Sequence, residues 1–447
     1  MAVETNIEAL LAKDGFSCSC GKAHYAKVSR VLIDFGALNK IPELIGQYNA
    51  KKVFVFFDEN TYKAAGERVL QILQTANIAY KTHCFPGERF EPDERSVGSA
   101  VMHFDSSCDM VITVGTGCLN DVGKLVANMA KKPYMIVGTA PSMDGYSSAT
   151  SSMIRDGLKV SLDSKCPDIV VGDLDVLAAS PMRMIQAGIG DMAAKYVSIG
   201  EWQLSRVING EYYCGDVADM VSAALKKCAD NASGIMKRDP QAVRAVMEGM
   251  VLAGIAANYA GISRPVSGME HYISHIWDMR ALEFDSPSDL HGIQCGVATL
   301  LTLKVFDYVK KIVPDKDKAL AYVKRFDFNA YKAYLSENLG AGADSMIANE
   351  AKEGKYDPDK HAKRLDVILD KYDEIIAIIN AMPTYDEVYA TLSAAGFPLT
   401  AEELGFSKKE IHDAFVMAKD IRDKYVVSRL LWDLGLLEEA ADELFPC

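Results

Sequence analysis

Residues 110–121 join an apolar run, a glycine turn and the start of a helix, in the sequence Met110-Val111-Ile112-Thr113-Val114-Gly115-Thr116-Gly117-Cys118-Leu119-Asn120-Asp121. Further short apolar runs alternate with stretches of helical character on both sides of it. These runs are residues 31–34, 52–57, 135–137 and 169–171. Continuous apolar strands separated by helices predict a parallel sheet that is covered on both faces. The first part of the chain is therefore predicted to be an α/β domain.

The pattern changes after about residue 180, where strand-like runs stop. Helical periodicity then dominates residues 182–209, 217–231, 240–260 and 295–311, and it continues into a charge-rich tail that ends at residue 447. We therefore predict two domains, an α/β domain over residues 1–180 and a helical domain over residues 181–447.

Composition limits the partners and the compartment. The 447 residues carry a net charge of −13, which disfavours nucleic acid as a partner. We find no apolar run of the ~20 residues that a membrane helix needs, and no secretory signal at the N-terminus. Most cysteines stand in apolar contexts typical of reduced thiols, which predicts a cytoplasmic protein.

One pair of cysteines has a different context. Cys18 and Cys20 stand close to His24, but no second Cys/His pair follows at finger-like spacing. The sequence therefore favours a reduced hairpin over a zinc site here.

Three potential metal ligands stand in the middle of the chain. They are Asp191, His271 and His291, with His275 one helical turn after His271. One carboxylate and two imidazoles leave a coordination position open, which is typical of a catalytic metal that polarises a substrate oxygen. Any one of these residues alone would more often be structural, so the prediction rests on their combination.

Two segments predict contacts to small molecules. The glycines of the 110–121 stretch would let the backbone approach a pyrophosphate at a helix start. A plain tight turn explains them equally well, since Asn120 stands where the dinucleotide fingerprint has glycine. Residues 139–148 are rich in hydroxyl groups and form either a capped loop or a site with Thr139, Ser142 and Ser148 near a cofactor and Asp144 near a polyhydroxylated substrate.

Together these blocks resemble the sn-glycerol-1-phosphate dehydrogenase family, in particular its bacterial branch. This family belongs to the superfamily of iron-type alcohol dehydrogenases, glycerol dehydrogenase and dehydroquinate synthase. The blocks that carry the resemblance are 115–121, 139–145, 190–191, 263–275, 291–292, 420–425 and 434–437.

The resemblance implies an N-terminal nucleotide-binding domain and an all-α metal-binding domain. It implies reduction of dihydroxyacetone phosphate with NADH or NADPH, and one divalent metal, zinc or nickel. The implied roles are metal ligation by Asp191, His271 and His291, substrate contact by Asp144, Asp191 and His275 with catalytic roles for Asp144 and His275, and cofactor binding by Asp58, Gly115, Thr116, Gly117, Asn120, Asp121, Thr139, Ser142 and Ser148.

Several details stay open at this stage. Asp58 at a strand end suits a ribose 2′-hydroxyl and favours NADH. Many relatives have glycine where this chain has Thr116, so the side chain there must point away from the pyrophosphate. Lys195, Arg264 and Lys124 are candidates for the substrate phosphate. We expect a homo-oligomer, most simply a dimer.

Other functions are compatible with the same residues. A metal-dependent dehydrogenase of unphosphorylated glycerol would use the same metal and cofactor. A lyase of the dehydroquinate synthase type would show no net consumption of NADH. A protein that binds nucleotide and metal without catalysis would contain metal but show no turnover. Loss of catalysis would be expected to remove metal ligands first, so the intact ligand set argues against this function.

Overall fold

The computed structural model describes residues 4–12, 15–87, 90–156 and 158–447. The prediction about a secretory signal falls partly on residues 1–3, which lie outside the described residues. The chain forms two compact units. Met1–Met192 and Asp216–Ile262 make the first unit, and Ala193–Gly215 and Ser263–Cys447 make the second.

The first unit contains a six-stranded sheet in the order β3-β10-β7-β6-β4-β5, and all five pairings are parallel. Two antiparallel pairs, β1 with β2 and β8 with β9, lie outside this sheet. The predicted α/β fold with a parallel sheet is confirmed. The strands are β1 (Phe16–Ser17), β2 (Ala23–His24), β3 (Arg30–Asp34), β4 (Lys52–Asp58), β5 (Ala79–Phe85), β6 (Met110–Gly115), β7 (Tyr134–Gly138), β8 (Thr150–Arg155), β9 (Leu158–Asp163) and β10 (Ile169–Asp173).

The order of the strands reverses between β4 and β6. The chain runs from β4 outward to β5 and then crosses to the other side of β4 to form β6. Phe56 of β4 pairs with Thr113 of β6, so Asp58 and Gly115 end neighbouring strands. Ligands of open α/β sheets bind at the carboxyl ends of the strands where the order reverses. Asp58 and the glycine turn therefore stand where a nucleotide is expected.

Helices make up most of the rest. In the described part of the chain no strand follows β10, as the change of pattern after residue 180 predicted. The helices are α1 (Ile7–Leu11), α2 (Ile41–Gly46), α3 (Glu59–Thr61), α4 (Glu67–Thr75), α5 (Glu94–His103), α6 (Gly117–Ala130), α7 (Leu174–Ala179), α8 (Met182–Asn209), α9 (Gly215–Asp230), α10 (Pro240–Ala260), α11 (Met269–Phe284), α12 (His291–Val309), α13 (Lys316–Arg325), α14 (Phe328–Leu339), α15 (Gly342–Glu353), α16 (Pro358–Asp370), α17 (Tyr372–Asn380), α18 (Tyr385–Ala394), α19 (Lys408–Ala418), α20 (Val427–Asp433) and α21 (Leu437–Leu444). None of the described helices has the length and the apolar character needed to cross a membrane.

The second unit buries a cluster of charges among its helices. Asp420 is fully buried and accepts hydrogen bonds from the hydroxyls of Tyr331 at 2.7 Å and Tyr356 at 2.5 Å, and from Arg429. Lys419 Nζ lies 3.0 Å from the same carboxylate. We call these five residues the buried charge cluster. A buried carboxylate is tolerated when cations and hydroxyl donors compensate it, as they do here.

Candidate functional site

The loop at residues 139–148, here called the serine loop, directly follows β7. Gly138 ends β7 beside Gly115 of β6, and the amide of Thr139 donates to the Gly115 carbonyl oxygen at 3.1 Å. The serine loop and the glycine turn therefore share one edge of the sheet. Three of the sequence-predicted cofactor segments, at Asp58, at Gly115 and at Thr139, are brought to the carboxyl ends of β4, β6 and β7.

Neighbouring helices hold the serine loop through close contacts. A Cβ built on Gly188 of α8 would lie 1.9 Å from the Pro141 carbonyl oxygen, so only glycine lets the helix approach this closely. From α10, a Cβ on Gly254 would lie 2.3 Å from Ser147 Oγ. That hydroxyl donates to the Val251 carbonyl oxygen at 2.7 Å. The loop is fixed by backbone proximity on both of these helices.

Asn120 of α6 also secures the serine loop. Its side-chain amide donates to the Gly145 carbonyl oxygen at 3.1 Å, and its Oδ1 accepts from the Tyr134 hydroxyl at 2.9 Å. Asn120 is completely buried. The residue predicted to bind the cofactor thus has a positioning role that the sequence did not indicate.

Asp144 and Asp191 lie next to each other in the first unit. The Asp144 amide donates to Asp191 Oδ2 at 2.8 Å, and each residue offers a carboxylate oxygen within 4.8 Å of the other. Asp191 is fully buried inside α8. The close approach of the loop that Gly188 permits, one turn earlier on α8, therefore sets the position of this carboxylate pair.

The glycine turn, residues 115–117, joins the end of β6 to the start of α6, which begins at Gly117. Thr116 is the N-cap, with an extended φ of −121°, so a residue other than glycine is accommodated there without strain. A Cβ on Gly115 would lie 2.4 Å from Leu119. Gly115 is therefore needed for packing, whatever ligand the helix start binds.

The other predicted cofactor residues have local partners. Asp58 caps α3 by accepting from the Thr61 amide at 2.7 Å. Burial raises the pKa of Asp121, and the Lys124 ammonium 2.8 Å away opposes this shift. Ser148 Oγ accepts from the Thr150 amide at 3.1 Å. Thr139 and Ser142 are buried.

In the second unit, the three predicted histidines form a cluster. His271 and His275 lie one turn apart on α11, and His291 begins α12. The ring centroids of His271 and His291 are 5.0 Å apart, and those of His275 and His291 are 5.8 Å apart. Imidazoles at this spacing can share one small cation or its bound solvent.

A buried carboxylate orients His271. Glu270 Oε1 lies 2.8 Å from His271 Nδ1 and also accepts from the Gly268 amide at 2.7 Å. A carboxylate at Nδ1 keeps the proton on that nitrogen and leaves the Nε2 lone pair for a metal. Burial, reinforced by the charge of Glu270, raises the pKa of the neighbouring Glu201 to about 8. Sequence reasoning missed Glu270, although its place directly before His271 was a usable signal.

Cys295 was also missed. Its Sγ lies 3.6 Å from His291 Nε2, and His271, His291 and Cys295 each offer a potential ligand atom within 4.8 Å of the others. The spacing of four residues on α12 puts Cys295 on the same helix face as His291. A second partner of His291 is Ser274, whose Oγ lies 3.2 Å from Nδ1.

The candidates for a phosphate site differ in their surroundings. Arg264 donates from Nη2 to Glu211 at 2.6 Å and from Nη1 to the Tyr425 carbonyl oxygen at 2.8 Å. Lys124 donates to the Thr150 carbonyl oxygen at 2.5 Å. Lys195 is completely buried in the second unit. Arg264 and Lys124 are thus already bound to groups of the chain itself.

Comparison with known proteins identifies the structural class. The sequence profile of the family described as iron-containing alcohol dehydrogenase matches residues 32–181. A crystal structure of glycerol dehydrogenase from Schizosaccharomyces pombe aligns with a TM-score of 0.61 at 13% identity, covering 94% of this chain and 91% of that one. A 1,3-propanediol oxidoreductase aligns with a TM-score of 0.58 at 16% identity, covering 93% and 99%. The chain therefore has the fold of the iron-containing alcohol dehydrogenase class.

Sequence relatives narrow the class. Glycerol-1-phosphate dehydrogenase [NAD(P)+] from Halalkalibacterium halodurans is 27% identical over 91% of this chain and 93% of its own length. The enzymes of that name from Geobacillus thermodenitrificans and Bacillus subtilis are each 30% identical, over 65% of this chain and 72% and 73% of their own lengths. The chain belongs to the glycerol-1-phosphate dehydrogenase family.

Proposed function

We propose that this chain is an NAD(P)-dependent oxidoreductase that reversibly reduces dihydroxyacetone phosphate to sn-glycerol 1-phosphate. The observation that carries the proposal is the shared name of relatives that align along most of the chain. The chemistry of the residues agrees with it. The first unit offers a sheet edge suited to a nucleotide, and the second offers imidazoles oriented for a metal.

We propose Asp191, His271 and His291 as the ligands of one divalent metal, with zinc as the first candidate and nickel as the second. The donor set fits such an ion, because Glu270 leaves His271 Nε2 available and the His291 ring lies 5.0 Å from that of His271. When bound, the metal supplies Lewis-acid polarisation of a substrate oxygen. Nitrogen and oxygen donors accept several divalent ions, so metal analysis has to decide between zinc and nickel.

The cofactor would be held by the edge of the sheet. We propose that the glycine turn and the first turn of α6, with Gly115, Thr116, Gly117, Asn120 and Asp121, receive the pyrophosphate at their amides. Thr139, Ser142 and Ser148 of the serine loop would line the same edge. Asp58 would accept from the ribose 2′-hydroxyl and repel a 2′-phosphate, so NADH is expected to be preferred over NADPH. When bound, the nicotinamide would supply the hydride.

The protein residues would orient the substrate and move a proton. Asp144 and Asp191 would accept from substrate hydroxyls, and His275 would pass a proton through water to the oxygen of the reduced ketone. A His275→Ala protein is expected to lose most of its turnover while keeping its metal. Full turnover of this variant would contradict the role of His275.

The test is NADH oxidation with dihydroxyacetone phosphate and, separately, with dihydroxyacetone, by protein reloaded with zinc or with nickel. Turnover selective for the phosphorylated ketone, with the sn-1 isomer as product, is the expected result. Turnover on dihydroxyacetone alone would instead indicate a polyol dehydrogenase. If neither ketone caused NADH oxidation although metal was bound, a lyase or a non-catalytic binding protein would be favoured.

The compartment and the assembly are also proposals. None of the ten cysteines, all of which lie among the described residues, forms a disulfide, which supports a reducing compartment such as the cytoplasm. A homodimer is proposed on the helical surface of the second unit. Light scattering behind size-exclusion chromatography would decide between dimer, monomer and larger assemblies.

A further inference from the structure

The hairpin formed by β1 and β2 carries three potential metal ligands at its turn. The Cys18 amide donates to the Lys22 carbonyl oxygen at 3.1 Å, and Gly21 takes a φ of +85°, which closes the turn. Cys18, Cys20 and His24 each offer one ligand atom, and these atoms lie within 4.8 Å of one another. The predicted hairpin is present, and its geometry gathers the two thiols and the imidazole at one point.

The His24 ring is oriented for ligation. His24 is completely buried, and its Nδ1 lies 2.8 Å from the Tyr259 carbonyl oxygen of α10. A carbonyl oxygen only accepts, so Nδ1 carries the proton and Nε2 holds the lone pair. A hydrogen bond from the second ring nitrogen to a backbone carbonyl is the usual arrangement of a histidine that binds a metal. The lone pair faces Cys20, whose Sγ is 3.3 Å from Nε2.

These separations suit a tetrahedral zinc ion. With Zn–S of about 2.3 Å and Zn–N of about 2.0–2.1 Å, the edge between a sulfur and a nitrogen ligand is about 3.5 Å. The separation of 3.3 Å between Cys20 Sγ and His24 Nε2 is close to this edge. Two thiolates and an imidazole are ligands that zinc prefers over calcium or magnesium.

A fourth ligand is supplied by a distant part of the sequence. Cys18 Sγ lies 3.1 Å from Asp216 Oδ2 in α9, although 198 positions separate these two residues. Asp216 belongs to the first unit, as the hairpin does, so its carboxylate oxygen can complete the set of two thiolates and one imidazole.

We propose that Cys18, Cys20, His24 and Asp216 bind a structural zinc ion. Four protein ligands leave no open position, so this ion would be structural rather than catalytic. In the first unit it would connect the β1–β2 hairpin, through His24 and Cys18, with α10 and α9. It uses none of the ligands proposed for the catalytic metal, and the two proposals stand or fall separately.

Cobalt substitution of the full-length protein tests the ligand set. Thiolate ligation of Co²⁺ gives an intense charge-transfer band in the near ultraviolet, which carboxylate and imidazole ligands do not produce. The band is expected in the wild-type protein and is expected to be lost in Cys20→Ser. It should survive in Cys295→Ser, which controls for the thiol near His291, and in Cys447→Ser, which controls for an exposed thiol. A band that survives Cys20→Ser would overturn the proposal.

Zinc stoichiometry gives a second measurement that does not depend on cobalt. Cys20→Ser and Cys18→Ser should each lose one zinc per chain by elemental analysis. His24→Cys, which keeps four donors, should retain that zinc, whereas His24→Ala should lose it. If the substituted chains fail to fold, release of one zinc from the wild-type protein by a mercurial reagent gives the same answer. Anaerobically purified wild-type protein with a Cys18–Cys20 disulfide and no mercurial-released zinc would refute the site.

Discussion

The serine loop of the first unit and the buried charge cluster of the second unit both keep polar groups away from water, but by different means. The serine loop is held by backbone contacts that two glycines, Gly188 and Gly254, allow. The charge cluster is held by the attraction between Asp420 and the cations of Lys419 and Arg429. The first region should therefore be sensitive to added volume, and the second to lost charge.

The largest expected effect is a loss of charge in the cluster. Asp420→Asn leaves Lys419 and Arg429 buried with less compensation, which should lower the free energy of unfolding by about 3–5 kcal/mol. Urea unfolding followed by circular dichroism measures the change. The control is Asp366→Asn, which removes a carboxylate that is 61% exposed and pairs with Lys316 at the surface. Equal midpoints for wild type and Asp420→Asn would show that charge does not hold the cluster.

Added volume at the serine loop should have the second-largest effect on stability and the largest effect on activity. In Gly188→Ala the new methyl group would collide with the Pro141 carbonyl oxygen, at a cost of about 1–3 kcal/mol. Displacement of the loop by about 1 Å should reduce the rate of NADH oxidation about 100-fold.

A matched control exists for this substitution. Gly98 lies in the helix α5, and a Cβ there would meet no atom within 4 Å. Gly98→Ala should leave the rate unchanged and raise the stability by up to ~1 kcal/mol. If both variants kept wild-type activity, the close approach of α8 would not position the site.

The two regions also differ in how far the sequence predicted them. The apolar runs predicted β4, β6, β7 and β10, because buried parallel strands are continuously apolar. The edge strand β5 was missed, because most of its residues are at least partly exposed and no continuous apolar run marks it. The tail was predicted as helical, and residues 408–437 form α19, α20 and the start of α21.

At the site, sequence spacing placed His271 and His275 correctly on one helix. Contacts between distant residues could not be read in the same way. Gly188 looked like an ordinary helix glycine, and its role depends on a carbonyl oxygen 47 residues earlier in the chain. The contact between Cys18 and Asp216 could not be predicted for the same reason, since 198 positions separate these residues. Local patterns predict elements, whereas pairs of distant residues need the fold.

A third prediction concerns the charge of Glu270, which orients the ring of His271. Glu270→Gln keeps the size of the side chain but weakens its hold on His271 Nδ1, which should lower metal affinity about 10–100-fold. Competition with a chelator, followed by elemental analysis, measures the affinity. Glu283→Gln, an exposed position on the same helix, should leave it unchanged. An unchanged affinity in Glu270→Gln would mean that packing alone orients the ring.

The smallest expected effect concerns the charge on His412 in the second unit. The side chain of His412 is partly exposed, so solvent screens this charge. The Asp413 carboxylate, 3.5 Å from Nδ1, and Asp442, 3.4 Å from Nε2, raise the pKa of His412 above 6.5. The folded state thus favours the protonated ring. Its stabilisation is complete below about pH 6.5 and is lost as the pH rises through the raised pKa. His412→Gln should therefore be less stable than wild type at low pH and equal to it at high pH.

The difference in the free energy of unfolding between wild type and His412→Gln shows how much less a screened charge contributes than a buried one. The His412 side chain is 19% exposed, so the difference near pH 5.5 should stay under about 1 kcal/mol, well below that for Asp420→Asn. Urea unfolding of both proteins at intervals from about pH 5.5 to about pH 8.5 measures it. Asp442→Asn should show the same trend with a smaller amplitude, because Asp413 remains. A difference that does not vary with pH would mean that His412 acts through packing, and that charge matters in the second unit only where water is excluded.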